Sequence, residues 1–325
     1  MSSISSFLTE DNPCAEEACE TLFRGLNGAC SKETSIRRHE PLAKRTTLRV
    51  GGSADVYVEP ATVHDLCQAL RLCREAGVHW MLLGRGSNLL VRDGGVRGVV
   101  ICLAGGEFVG VKSMGPMLSA GAGARLKHIA VEARRGGISG LEFLEGIPGS
   151  VGGSLRMNAG AMGSATFDCL ESVRAMDREG LVAVHTASAL DPGYRHCGFF
   201  DDHIALSAEF RGRLAPMAEI EARMRALSSK RWESQPAAPS AGCIFKNPAS
   251  IPAGKLIQEL GLKGTRVGGA QISEMHGNFF VNDGSAKARD VLSLIELVRE
   301  RALNERQIHL QTEVQIVGEE ESPCE

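Results

Sequence analysis

Residues 79–91, His-Trp-Met-Leu-Leu-Gly-Arg-Gly-Ser-Asn-Leu-Leu-Val, carry an apolar strand straight into a glycine turn and out into a second apolar run. Just upstream, Val50 to Pro60 (V-G-G-S-A-D-V-Y-V-E-P) alternates as a short strand closed by proline. A helix opens at Thr62. Leu66, Ala69, Leu70 and Cys73 recur at helical spacing, Thr62 and Asp65 are placed as an N-terminal capping pair, and Gly77 as the stop. The pattern predicts a β-α-β unit whose closing turn is rich in glycine. That turn is not a dinucleotide fingerprint, because G-x-G-x-x-G needs a third glycine for close helix packing, and Gly84-Arg85-Gly86-Ser87-Asn88-Leu89 ends in leucine. Gly121 to Leu126 fails in the same place. Successive backbone N–H groups at 84–89 can still form a concave nest for a diphosphate; the plain alternative is a tight turn around a buried asparagine.

A second glycine segment raises the weight of the first. Gly136 to Gly163 holds nine glycines in 28 residues, too many for an ordinary helix or strand interior, and predicts a loop wrapped on a ligand. Between the two lie short strands (Val99–Leu103, Phe108–Lys112, Met117–Ala120) and a helix from Leu126 to Arg135. Beyond them come strands Leu170–Asp177, Leu181–His185 and His203–Phe210, then a helix from Pro216 to Trp232. The stretch S-Q-P-A-A-P-S-A-G, 234–242, reads as a boundary between units. A C-terminal α+β unit follows, with a helix near Pro252–Leu260, a strand His276–Asn282, a long helix from Ser285 and a closing strand His309–Val317. In the long helix Val291, Leu294, Ile295, Val298 and Ala302 form one apolar stripe. Residues 1–35 hold no sustained period and read as a loose extension with one short helix around Glu16–Leu26.

Composition narrows the function classes. With 325 residues the chain exceeds one hydrophobic core, and the absence of a roughly 20-residue apolar run or a basic-apolar leader argues for a cytoplasmic protein. A net charge of −3 without basic blocks makes nucleic acid a poor partner. Ten cysteines without a C-x-x-C pair read as free thiols. Nine histidines form neither H-x-x-H nor H-E-x-x-H, so no metal site is expected.

Several polar residues stand out, each against a bland reading. Cys243, in S-A-G-C-I-F-K-N-P (240–248), follows a glycine turn and can serve as a general acid, since an unperturbed thiol stays mostly protonated at neutral pH; a core cysteine is the default. Arg195, after Tyr194 in a polar loop, suits two-point capture of a carboxylate, or is a surface arginine. Glu313 lies among Leu310, Val314 and Ile316, where a carboxylate needs a partner, unless it simply shares the exposed face of Gln311 and Gln315.

Taken in order, T-T-L-R-V-G-G (46–52), G-R-G-S-N-L-L-V (84–91), G-I-P-G-S-V-G-G (146–153), N-A-G-A-M-G (158–163), Y-R (194–195), the Cys243 segment, H-G-N-F-F-V-N (276–282) and L-Q-T-E-V (310–314) resemble the UDP-N-acetylenolpyruvoylglucosamine reductase family. The short connection between Arg195 and Cys243 is similar to the branch lacking an inserted tyrosine loop. The resemblance implies an α+β, FAD-binding fold of the vanillyl-alcohol-oxidase type: an extension (1–35), two FAD-binding α+β subdomains (36–105 and 106–215), a substrate domain (216–318) and a tail (319–325). It implies noncovalent FAD, NADPH as hydride donor, a nucleotide-sugar substrate and a monomer.

By motif position, Gly84, Arg85, Gly86, Ser87, Asn88 and Leu89 would hold the diphosphate. Gly146, Ile147, Pro148, Gly149, Gly152, Gly153, Asn158, Ala159 and Gly160 would line the flavin. Arg195 and Glu313 match the pair that stabilises charge on the substrate carboxylate. Cys243 stands where the family usually has a serine proton donor. Tyr194, Lys230, Arg231, Lys246 and Asn247 are expected on the substrate. A cysteine there adds expected susceptibility to oxidation and alkylation. The competing readings are an FAD-dependent oxidase of the same fold, for which a covalent-flavin histidine motif would be needed and is not found, and a silent nucleotide-sugar binding protein.

Overall fold

The computed structural model describes residues 13–321. The β-α-β reading holds at its centre. Ser53–Glu59 leads through a helix, Val63–Glu75, to strand Trp80–Leu83, and strand Val96–Cys102 slots between the two in parallel register. Ser35–Pro41 adds antiparallel on the outer side, completing a four-stranded mixed sheet. A second sheet is antiparallel throughout, in the order Val182–Thr186, Leu170–Met176, Ile204–Arg211, Met117–Gly121, Val111–Met114. The C-terminal unit holds a third, in the order Ser240–Cys243, Phe279–Asn282, Ala270–Ile272, Arg266–Val267. No described helix is long and apolar enough to cross a membrane.

In chain order the helices are α1 (Pro13–Ala29), α2 (Val63–Glu75), α3 (Leu126–Arg135), α4 (Val151–Arg156), α5 (Met217–Ser234), α6 (Ala253–Glu259) and α7 (Ala288–Arg306). The stripe Val291, Leu294, Ile295, Val298 and Ala302 on α7 is fully buried, as its spacing predicts. Four expectations need correction. The N-terminal segment is not loose from residue 13 on: α1 is longer than its weak periodicity suggested and buries Leu22 and Leu26 in the main core. Phe108 lies in a single 3₁₀ turn, Gly106–Val109, ahead of a strand that begins at Val111. The closing strand is regular only over Gln315–Val317, pairing in parallel with Leu89–Val91. Finally, α5 was grouped with the substrate unit, yet Ile220 and Met224 join the apolar cluster of the first two sheets. Residues 1–12 and 322–325 lie outside the described residues.

The C-terminal unit is bound to the rest by shared core and by backbone. Leu48, Val50 and Leu90, from the first unit, are buried among Ile244, Phe245, Phe280 and Leu294. Asp93 accepts from the N–H groups of Ala288 (2.8 Å) and Arg289 (2.9 Å), capping the N-terminus of α7 from another part of the chain.

The capping pair at Thr62 does more than start α2. Thr62 Oγ1 accepts from Asp65 N, and the Asp65 carboxylate in turn accepts from Thr62 Oγ1 and from both N–H and hydroxyl of Ser31, just past α1. Burial alone would raise this carboxyl, but the Ser31 and Thr62 donors outweigh it and lower it to about 2. A depressed carboxyl contributes stability in full above its unfolded value, roughly 3.9, and loses it as the pH falls toward the folded value. Asp65→Ala is therefore expected to cost about 1–3 kcal/mol in urea unfolding at pH 7, with the gap to the parent narrowing as the pH falls from about 4 toward 2. A gap that ignores pH would show that the carboxylate does not hold α1 to α2.

Candidate active site

The turn at 84–89 is the meeting point of the chain. Gly86 adopts φ +61°, and a Cβ there would lie 2.6 Å from the Arg45 carbonyl oxygen, so only glycine fits. Arg45 itself is fixed by Glu40 (2.6 Å), by Glu59 (3.0 Å) and by stacking over the buried Tyr57 ring. Thr47 donates its N–H to the Gly86 carbonyl (3.2 Å) and its hydroxyl to the Ser240 carbonyl (2.7 Å). On the far side of the turn, Asn88 Nδ2 donates to the Glu313 carbonyl (3.0 Å), and Gln315 N donates to the Asn88 carbonyl (3.0 Å). The turn thus holds both segments that carry Cys243 and Glu313. Asn88, expected on the diphosphate, directs its side-chain amide to the Glu313 backbone, and the backbone N–H groups of the turn are what a diphosphate would meet.

The second glycine segment lies directly against the first. A Cβ on Gly84 would sit 2.9 Å from Ser150 Oγ, and one on Gly149 would sit 3.9 Å from Ser87 Oγ. The segment is not wholly loop: Ser150 caps a six-residue helix, α4, which takes in Gly152 and Gly153. Tight packing overrides their low helix propensity, since a Cβ on Gly152 would already touch Ala122. Leu126 N donates to Gly149 O and Gly152 N to Ala122 O, which fixes the loop on the 121–126 turn. Beside Gly146 a Cβ would meet nothing within 4 Å, and Gly153 is exposed, so one side of the paired turns is an open cradle. Such a cradle fits a ligand with phosphates and a flat ring, approached closely by backbone. Arg231, expected on the substrate, donates to the Gly146 carbonyl from α5. Lys230 next to it points to solvent.

Arg195, Glu313 and Cys243 come together from three distant stretches. Arg195 Nε lies 2.8 Å from Glu313 Oε1, an ion pair in which Nε–H points off the carboxylate axis; Nε is buried and makes no hydrogen bond. Arg195 has φ +56°, a conformation that costs a non-glycine residue about 1–3 kcal/mol and that clusters at functional sites. Asn158 (φ +38°) helps impose it, donating to the Gly193 carbonyl (3.2 Å) and so tying the 191–196 loop to the glycine segment. Tyr194 is exposed, with the Arg195 guanidinium 5.4 Å from its ring centre.

Burial raises the Glu313 carboxyl, opposed by Arg195 and Lys246. Burial also pushes the Cys243 thiol up to about 12, aided by Glu313 and opposed by Arg195. A thiol raised in this way carries less thiolate, the species that alkylation requires.

Cys243 also lines a cavity of about 290 Å³ together with Asn247, Lys255, Gln258, His276 and Asn278. Asn247 Oδ1 accepts from Ala253 N at the start of α6, and the residue borders the cavity. Burial lowers the His276 imidazole, with Lys263 adding to the effect, so it is neutral at pH 7. His276, Asn278, Lys255 and Gln258 carried no role in the sequence reading. For His276 and Asn278 the signal lay in H-G-N-F-F-V-N, where both immediately precede the strand Phe279–Asn282.

A family model described as the UDP-N-acetylenolpyruvoylglucosamine reductase C-terminal domain matches residues 235–317, and an FAD binding domain model matches residues 54–185. The UDP-N-acetylenolpyruvoylglucosamine reductase of Clostridium botulinum (strain Langeland / NCTC 10281 / Type F) is 42% identical over 283 residues, 86% of this chain and 92% of that protein. The reductase of Geobacter metallireducens is 44% identical over 286 residues, 88% of this chain and 95% of its own length. The crystal structure of the Thermus caldophilus enzyme (MurB) superposes with a TM-score of 0.76 at 38% identity, covering 87% of this chain and 98% of that one. With likeness of this extent in both sequence and structure, the chain belongs to the UDP-N-acetylenolpyruvoylglucosamine reductase family.

Proposed function

We propose that the chain reduces the enolpyruvyl ether of UDP-N-acetylglucosamine enolpyruvate to UDP-N-acetylmuramate at the expense of NADPH, with Cys243 as the proton donor. The observation that carries this reading is the Arg195–Glu313 ion pair beside Cys243, three groups delivered by distant stretches of the chain. FAD, held by the 84–89 turn and by the Gly146–Gly153 segment with Ala159 and Gly160, supplies the hydride chemistry when bound.

Reduction of the enol ether adds a hydride at the methylene carbon and a proton at the neighbouring carbon, which bears the carboxylate. Arg195 binds that carboxylate, and Glu313 orients the guanidinium, so negative charge developing next to the carboxylate is met by a fixed positive group. Cys243 holds its proton on Sγ throughout the neutral range and transfers it to the carbon. Lys246, whose charge reaches Glu313, and Asn247, which lines the cavity, bind the nucleotide diphosphate, with Lys230 available on the exposed side of α5.

The purified protein is expected to show a flavin band bleached by NADPH under anaerobic conditions and restored by the enolpyruvyl substrate; colourless protein that FAD does not reconstitute would overturn the assignment. Cys243→Ala should slow the substrate half-reaction by about 10²–10⁴ and leave flavin reduction intact, whereas Cys243→Ser should keep most of the activity. An alanine variant as fast as the parent would remove Cys243 from the chemistry. Alkylation of Cys243 by iodoacetamide at pH 8.5, followed by peptide mass spectrometry, should be at least about tenfold slower than that of a free thiol; labelling at the free-thiol rate would contradict a protonated donor.

A further inference from the structure

We infer that Asn278 is a positioning residue that fixes the Cys243 proton donor relative to the Arg195–Glu313 pair. The inference rests on the reading of Cys243 given above and adds a residue to it. Asn278 is 1% exposed, and its side chain is committed to a single segment. Its Oδ1 accepts from Phe245 N (2.9 Å), its Nδ2 donates to Phe245 O (2.8 Å), and its own carbonyl accepts from Ile244 N (2.9 Å). Asn278 also borders the same cavity as the Cys243 thiol.

The need for such a clamp follows from the local backbone. Strand 240–243 pairs with 279–282 at Ser240–Val281 and Cys243–Phe279, with a register shift between them where Gly242 takes φ +76°. The regular ladder therefore ends at the thiol. The Asn278 side chain substitutes for the missing ladder bonds and carries the pairing on to Phe245.

On the opposite side, the N–H groups of Glu313 (2.8 Å) and Val314 (3.3 Å) both donate to the Ile244 carbonyl. Residues 243–245 are thus held between Asn278 and the segment of Glu313. Removing Asn278 frees one side of a segment whose other side carries the carboxylate. Asn278 itself is anchored by its N–H on His276 Nδ1 (3.1 Å), consistent with a neutral His276 ring accepting there.

The test is a double-mutant cycle between Asn278→Leu and Cys243→Ala, read by stopped flow on FAD-loaded protein in both half-reactions. Asn278→Leu is expected to slow reoxidation by the enolpyruvyl nucleotide sugar about 10- to 100-fold, with a larger solvent deuterium isotope effect on that step and with reduction by NADPH little changed. In the Cys243→Ala background the same substitution should cost nothing further, because no donor is left to misplace. If Asn278→Leu does not fold, Asn278→Asp, which keeps the shape and the acceptor for Phe245 N–H, takes its place in the cycle. An equal loss in both backgrounds, or a parallel loss in the NADPH half-reaction, would overturn the positioning role while leaving Cys243 as donor. A Cys243→Ala variant that is itself unimpaired would instead sink the donor assignment.

Discussion

Two hydrogen bonds, from the Asn88 amide to the Glu313 carbonyl and from Gln315 N to the Asn88 carbonyl, join the closing turn of the first β-α-β unit to the closing segment of the chain. Around them gather the parallel pairing of Leu89–Val91 with Gln315–Val317 and the Thr47 bridge from Gly86 to Ser240. The reactive groups come from the C-terminal half and from the 191–196 loop, and the glycine cradle from the N-terminal half. Without this junction the halves would carry separate fragments of one site. The turn can serve because Gly86 alone tolerates the contact with Arg45 and Thr46.

Three ionisable groups lie close together, each partly withdrawn from solvent, and each limits the others. Desolvation raises both Glu313 and Cys243, while the Arg195 charge pulls both down. The guanidinium keeps Glu313 usable as a carboxylate but does not turn the thiol into a thiolate. A serine-like role for a cysteine is compatible with this balance, because a buried, protonated thiol behaves as a proton store rather than as a nucleophile.

Backbone strain is concentrated where the site is built. Asn158, Met162, Asp191 and Arg195 all have positive φ within the two loops that face each other across Gly160 and Gly193. Two of them are held by bonds across the gap, Asn158 Nδ2 to the Gly193 carbonyl and Arg195 to the Gly160 carbonyl. Such strain persists only when the surrounding packing over-determines it.

Local chemistry was legible in the sequence. The capping pair Thr62–Asp65, the stop at Gly77, the apolar stripe of α7 and the two glycine segments depend on residues a few positions apart, and periodicity reports those directly. The ordered motifs were enough to indicate the family. Whatever depends on long-range contacts was decided only by tertiary structure. Pairing between residues 225 positions apart set the direction of the Asn88 amide, and packing against the first sheets placed α5 outside the C-terminal unit and anchored α1. Burial raised the Cys243 thiol further above neutrality than its sequence neighbours could indicate, and the Phe245 backbone gave Asn278 its task. Spacing along a chain encodes which face a residue presents, but solvent exclusion and hydrogen-bond partners exist only once distant segments meet.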